Sequence, residues 1–421
     1  MRTTRLGNAV LETLALAIVP LAPAAAQLPL GDPLPVNVTT AGDQQGARIG
    51  MAENGRFTLV WSDGIGDGSE LFLRNYQADG APFTVAPLNQ FTTGEQSGPE
   101  ISMNGNGDWV AVWKSVGQNP GSAGDLFARR TGNNGSTIGS ELAVNATTAH
   151  DACNQEVSRA DDDSFVVIWR DGTDGTDVHF RRFAADATPL TGDEVANQIA
   201  AENVFDGNVA SAPDGSFVAT WTGDDEDGHG VFARCFDADG VALGGDFRLN
   251  DQAAGAQEGP WVAADARGAF VAVWRDGGLT GHFELRLFHP DCTPRSGDLP
   301  LDEVLLTGKR FDIHVDMASD GAFVVAWDDE SGAGDRGVHA REFTRSGTPV
   351  GEPFAVPVDA AGVQGGATVG IGAGLFAVAW TDQEGTSGIN DDVFVRRYQR
   401  RVVFTDDFES EDFFYWSETA P

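Results

Sequence analysis

Carboxylates grouped two or three residues apart among glycines are the part of this sequence most ready for chemistry. Asp63, Asp67 and Glu70 form one group, and Asp171, Asp174 and Asp177 form another within DGTDGTD. Asp224, Asp225, Glu226 and Asp227 form a third, with similar groups at 328–335 and 382–392. Oxygen donors at such spacing can wrap a hard cation, and calcium takes about six to eight of them. Asp171, Asp174, Asp177, Asp224, Asp225 and Asp227 are therefore the candidate metal ligands, and calcium is the cofactor they imply. None of these stretches matches the Asp-x-Asn/Asp-x-Asn/Asp-Gly…Glu calcium loop. Asp and Gly also dominate turns because they tolerate turn geometry, so solvated turns describe the same residues.

Signs of catalysis are sparse. The seven His form no H-x-x-x-H or H-E-x-x-H site, and no G-x-S-x-G elbow occurs. The acidic loops offer carboxylate pairs suited to glycoside chemistry, but the S-x-D-x-G-x-x-T-W box of sialidase-type propellers is absent. Trp109 and Trp261 stand outside the repeating tryptophans described next and are the candidate carbohydrate contacts.

The elements that would position these residues repeat. Asn208 to Asn250 predicts four short strands, A to D: NVASA, SFVATW, VFARCF and DFRLN, separated by Pro-Asp-Gly, an acidic loop and Asp-Ala-Asp-Gly. Strand B is apolar on both faces, as in a strand covered on both sides. The Trp that ends it recurs at Trp61, Trp113, Trp169, Trp221, Trp274, Trp327 and Trp380, spaced by 52, 56, 52, 53, 53 and 53 residues. Strand C carries Arg74, Arg129, Arg181, Arg234, Arg286, Arg341 and Arg396 in the same seven units. A period near fifty with four strands per unit predicts an all-β, seven-bladed β-propeller with four antiparallel strands per blade. The chain enters with a D-type strand and leaves after a C-type strand. Leu34 to Val38 is therefore expected to pair with Val393 to Tyr398 and complete the last blade, closing the ring and removing open edges. Arg in strand C is expected to pair with the Asp two residues after the Trp (Asp63, Asp171, Asp276, Asp329, Asp382), tying strands B and C together. His179 and His339 stand where other units carry Phe in strand C and are expected in the core.

A formal net charge of −36 excludes nucleic acid and anionic lipid as partners. Arg2 and Arg5, an apolar run from Ala9 to Leu21 and Ala24-Ala25-Ala26 resemble a bacterial secretory signal. No other stretch approaches the roughly eighteen apolar residues needed to span a bilayer. The expected organisation is a signal at 1–26, the propeller at 27–400 and an acidic, aromatic tail at 401–421. Of Cys153, Cys235 and Cys292, the last two are a possible disulfide, and small buried side chains are the alternative.

The repeat (F-x-V-x-W, then G-V-F-A-R-x-F-D-A-D-G, then V-N-T-T-x-G-x-Q) resembles repeats common in secreted and surface proteins of Gram-negative bacteria. The tail segment FTDDFESEDFFYW is similar to a D-G-F-E-S-G-D-x-x-x-W ending of exported proteins, with Asp407 and Glu411 in place of two glycines. The resemblance implies a propeller and a secreted or cell-surface address, and no particular activity. The expected function is an extracytoplasmic, monomeric binding or adhesion module whose acidic, calcium-loaded rim meets a protein or glycan. The alternatives are a polysaccharide-acting hydrolase or lyase using rim carboxylates, and a structural surface protein without a small ligand.

Overall fold

A computed structural model describes residues 27–39, 42–64, 68–132, 136–147, 151–171, 176–198, 204–225, 228–301, 309–330, 336–358, 362–383 and 391–401. The expected signal (1–26) and nearly all of the tail lie outside these residues. The described chain is strand and turn apart from one 3-10 turn at Gly278–Thr280.

Each of the first five sequence units folds into its own antiparallel four-stranded sheet, with strands in the order A-B-C-D. Unit one, for example, comprises Gln44–Met51, Phe57–Asp63, Glu70–Tyr76 and Ala86–Pro87. Units six and seven share an eight-stranded sheet, joined through a parallel pairing of Arg336 with Val363. The N-terminal strand Leu34–Pro35 pairs antiparallel with Asp391–Gln399, Leu34 opposite Val395. It thus supplies the strand D that unit seven lacks.

The hydrophobic core is divided into layers between successive sheets. One layer joins Trp221 to Ile168 and Phe180 across units three and four. Another joins Trp61 and Ile49 of unit one to Ala377 and Val395 of unit seven, which closes the circle. The column tryptophans are buried in these layers, and four of them stack on the strand C residue opposite, whereas Trp274 faces Glu284. Trp61 stacks on Phe72 and Trp380 on Phe394, while Trp169 stacks on His179 and Trp327 on His339, all with centroids 5.9–6.0 Å apart. The two His therefore take the aromatic place against the Trp, but half-buried at the edge of the layer rather than in the core.

The strand C arginines do not pair as expected. Each sends Nη1 across to the preceding unit, to a main-chain carbonyl just beyond that unit's strand D: Arg74 to Val36, Arg129 to Leu88, Arg181 to Val144 and Arg286 to Leu249, at 2.8–2.9 Å. Arg234, Arg341 and Arg396 repeat this with Ala196, Leu301 and Val356. Strand D is only two residues long in most units, so its ladder ends early and leaves a buried acceptor between sheets. A long cation fills that need and also lies over the aromatic two residues on, as Arg286 does over Phe288. The Asp after the Trp turns the other way, toward strand A. Asp63 accepts from Gln44 and Asp276 from Gln257, at 2.7 and 2.8 Å.

The connector V-N-T-T has an equally local cause. Asn89, Asn145 and Asn197 each accept the N–H of the first apolar residue of strand C in their own unit, Leu71, Leu126 and Val178, at 2.7–2.8 Å. The side-chain amide replaces one rung where the ladder ends. Cys235 in strand C of unit four and Cys292 in the C–D turn of unit five form a disulfide, adding a covalent link between neighbouring sheets. Cys153 is not part of it.

Candidate functional site

Every strand A carries a β-bulge at the same place, for example between Gln45 and Arg48, Ser97 and Glu100, and Glu258 and Trp261. Six of the bulges hold a residue with φ between 51° and 64°: Gly46, Gly98, Asn154, Asp206, Gly259 and Gly366. A bulge bends the strand and re-aims the next side chain. Here that side chain faces the axis. The residue paired with the position before each column Trp is Arg48, Glu100, Glu156, Asn208, Trp261, His314 and Thr368 in units one to seven. The first six line the waist of an axial channel, while Thr368 is buried at the equivalent position of unit seven.

Two cavities meet at this waist. One, of about 290 Å³, lies toward the A–B turns and is lined by strand A residues from all seven units. The other, of about 520 Å³, lies toward the starts of the A strands and the ends of the B strands, and includes Lys114, Asp206, Glu258, Arg275 and Asp312. Arg48, Glu100, Glu156, Asn208 and Trp261 line both.

The waist is held by short-range contacts. Arg48 Nε donates to Glu100 Oε2 at 2.9 Å, and its guanidinium lies 5.6 Å from the centre of the Trp261 ring. The Trp261 and His314 rings are 4.3 Å apart. Asn208 Oδ1 accepts the N–H of Val262 at 3.1 Å, stitching unit four to unit five. Above the waist, Glu258 receives Arg275 at 2.7 Å and His229 at 3.0 Å. Lys114 meets Asp151 at 2.6 Å.

Burial dominates the electrostatics. It lifts the Glu100 carboxyl to about 7 even though Arg48 pulls it down. Burial and the neighbouring Glu100 charge push Glu156 well above the usual carboxylate range. His314 is driven down to about 3 by burial and by Arg48, so its imidazole is neutral. Its Nδ1 accepts the N–H of Val369 at 3.4 Å. Two carboxyls whose charges act on one another, one near neutrality, have the properties of an acid–base pair.

Of the residues singled out by sequence, Trp261 lies in this site. Trp109 does not: it is 1 % exposed and packs in the layer between units one and two with Trp113 and Phe127. It occupies the strand B start that is Phe in the other six units, so its indole belongs to the core. Asp177 accepts from Asn197 at 3.2 Å. Asp224 lies 3.4 Å from His229, and Asp225 lies 3.0 Å from Arg248. The Asp171 side chain, Asp174 and Asp227 lie outside the described residues. Among the described residues, one cluster places three metal-capable atoms within 4.8 Å of one another: Asp276, His282 and Glu284, on the B–C hairpin of unit five. Its imidazole fits a transition metal better than calcium.

Arg48, Glu100, Glu156 and His314 were missed by motif reading. The signal lay in the repeat itself. Counting four residues on from Gln44, Gln96, Gln257, Arg310 and Gln364 lands on the waist, at the position where the units differ most in chemistry.

No family model matches the chain, and no curated protein matches it in sequence. Solved structures do match in fold. A protein of unknown function from Dyadobacter fermentans aligns over 90 % of this chain and all of its own, with 11 % identity and a TM-score of 0.53. An ulvan lyase, a polysaccharide lyase bound to a glucuronate–rhamnose sulfate saccharide, aligns over 87 % of this chain and 94 % of its own, with 10 % identity and a TM-score of 0.52. The fold is that of the β-propellers. Among the described residues no helix is long and apolar enough to cross a membrane.

Proposed function

We propose that this is an exported, monomeric, seven-bladed propeller that cleaves a polysaccharide at the mouth of its axial channel. The eight-stranded sheet counts as two blades in this reading. The observation that carries the function is the roughly 520 Å³ cavity that brings Glu100, Glu156 and the half-buried Trp261 to one place. It is a hydrolase-type site: Glu156, held protonated by burial, gives its proton to the leaving oxygen, and Glu100 takes a proton from the attacking water. Trp261 supports a sugar ring. The fold shared with a polysaccharide lyase is compatible with this reading, and the Cys235–Cys292 link suits an oxidising compartment.

The test is release of reducing ends from a panel of plant, algal and microbial polysaccharides. Glu156→Gln is expected to lower the rate on the order of a hundredfold or more with binding retained, and Trp261→Ala to weaken binding. A panel that is bound but never cut would favour the second reading, a glycan-binding module. The ion pair of Arg48 with Glu100, which is 7 % exposed, favours that alternative because it occupies the base.

Calcium in the acidic B–C loops, with Asp171, Asp174, Asp177, Asp224, Asp225 and Asp227 as ligands, is a separate proposal. It predicts a melting temperature that falls by several degrees in EDTA and returns with calcium, because a ligand held only by the folded state stabilises it. Superimposable melts would reduce these loops to solvated turns.

A further inference from the structure

The charge of the channel mouth says which saccharides can enter it, and this inference rests on the glycan reading above. Five carboxyl groups line the roughly 520 Å³ cavity: Glu100, Asp206, Glu258 and Asp312 as carboxylates, and Glu156, which is protonated in the reading above. Three cations line it: Arg48, Lys114 and Arg275. All three cations are already engaged, Arg48 by Glu100, Arg275 by Glu258 and Lys114 by Asp151, at 2.6–2.9 Å. Cations on the neighbouring strands do not reverse the balance. Arg336 is bound by Asp328 and lies 3.5 Å from Asp312, and Arg170 acts on Asp206. Asp206 stands in the bulge of unit four, within electrostatic reach of Glu258 and Asp312, and burial together with those charges raises its pKa. Among the described residues it has no ion pair. Among the described residues that line the cavity, no cation is left uncommitted to receive an incoming uronate or sulfate. An ammonium would relieve the crowding.

We propose that the mouth is built for a saccharide bearing free amino groups, with a sugar ring against Trp261 and ammonium groups between Asp206 and Asp312. The two catalytic carboxyls sit deeper, at the waist, so the amine-recognising wall and the acid–base pair are separate sets of residues.

The test is titration calorimetry of the full chain with three oligosaccharides of equal length: glucosamine, N-acetylglucosamine and galacturonate oligomers. Each is measured at about 50 mM and about 500 mM salt, because exposed charge attraction is screened at the higher value. The glucosamine oligomer is expected to bind at least about tenfold tighter than the N-acetylated one, a gap that one extra charged contact supplies. Salt should narrow that gap. Asp206→Asn is expected to remove most of it while leaving the N-acetylated oligomer unaffected. Asn keeps the left-handed backbone that the bulge needs, so folding is preserved, and Asp312→Asn serves as the second variant. Equal or tighter binding of the galacturonate or N-acetylated oligomer would overturn the inference and leave the glycan reading standing. Binding of none of the three, with no polysaccharide cleaved, would overturn both.

Discussion

Two positions in the same repeat behave in opposite ways. In strand C the seven units carry the same residue, an arginine, and in each it makes the same bond to the preceding unit. At the waist of strand A the seven units carry six different residue types, only Glu occurring twice, all set by the same bulge. A repeating fold poses the same packing problem in every unit and solves it the same way. A ligand on the axis poses a different problem to each unit. Sameness across units therefore marks structure, and difference at a shared position marks the site.

Substitution can break that contrast. Arg286 is 8 % exposed and satisfies the buried carbonyl of Leu249 as well as that of Ser296. Arg286→Ala strands those acceptors and is expected to cost about 2–3 kcal/mol of stability, read from denaturant unfolding, with cleavage by the surviving folded fraction unchanged. Glu156→Gln should do the reverse. Its carboxyl is held above its ordinary range by burial, so a neutral amide there should leave the melting temperature level or higher while activity collapses. Equal effects of both variants on stability and on activity would erase the distinction.

A smaller effect lies in pH. Asp316 sits two residues beyond the waist and is lifted to about 7 by burial, although it accepts the N–H groups of Ile371 and Met317. A folded-state value above the unfolded one means that the folded chain holds the extra proton. Its contribution is complete below about pH 4 and is lost as pH rises through about 7. Glu100 acts in the same direction. Melting temperature is therefore expected to be higher near pH 5 than near pH 8, and Asp316→Asn to shrink that difference while keeping an oxygen for Ile371. A pH profile identical to that of the parent would show that Asp316 is ordinarily ionised.

The fold was legible because its signals recur. Seven tryptophans and seven arginines fix the period, and the N-terminal strand reveals itself by matching strand D elsewhere. What the arginine bonds to was not legible: an Asp near in sequence competes, on paper, with a carbonyl some forty residues back, and only the short strand D decides between them. The waist was hidden for a different reason. Each unit except the fifth offers a single polar residue there, mostly beside apolar or glycine neighbours, and a bulge inside the strand disrupts the alternation that would have shown which side it faces. The acidic loops drew attention by composition, yet composition cannot separate a turn from a ligand set.

The smallest expected effect is the most direct check on reading a tryptophan by its place in the repeat. Trp109 and Trp261 look alike in sequence, both being outside the Trp column. Trp109 fills a slot that holds Phe57, Phe165, Phe217, Phe270, Phe323 and Phe376 in the other units. Trp109→Phe replaces one buried aromatic by the residue that this slot accepts everywhere else, so its cost should stay within about 1.5 kcal/mol. The loss is softened because the indole Nε1 has no hydrogen-bond partner to forfeit. Saccharide binding should not change at all. The same change at Trp261 removes the indole that lies beneath Arg48 and beside His314, and should weaken binding with little change in melting. Loss of saccharide binding in Trp109→Phe would mean that ligand energy reaches the layer between units one and two, and that the waist is not where the site ends.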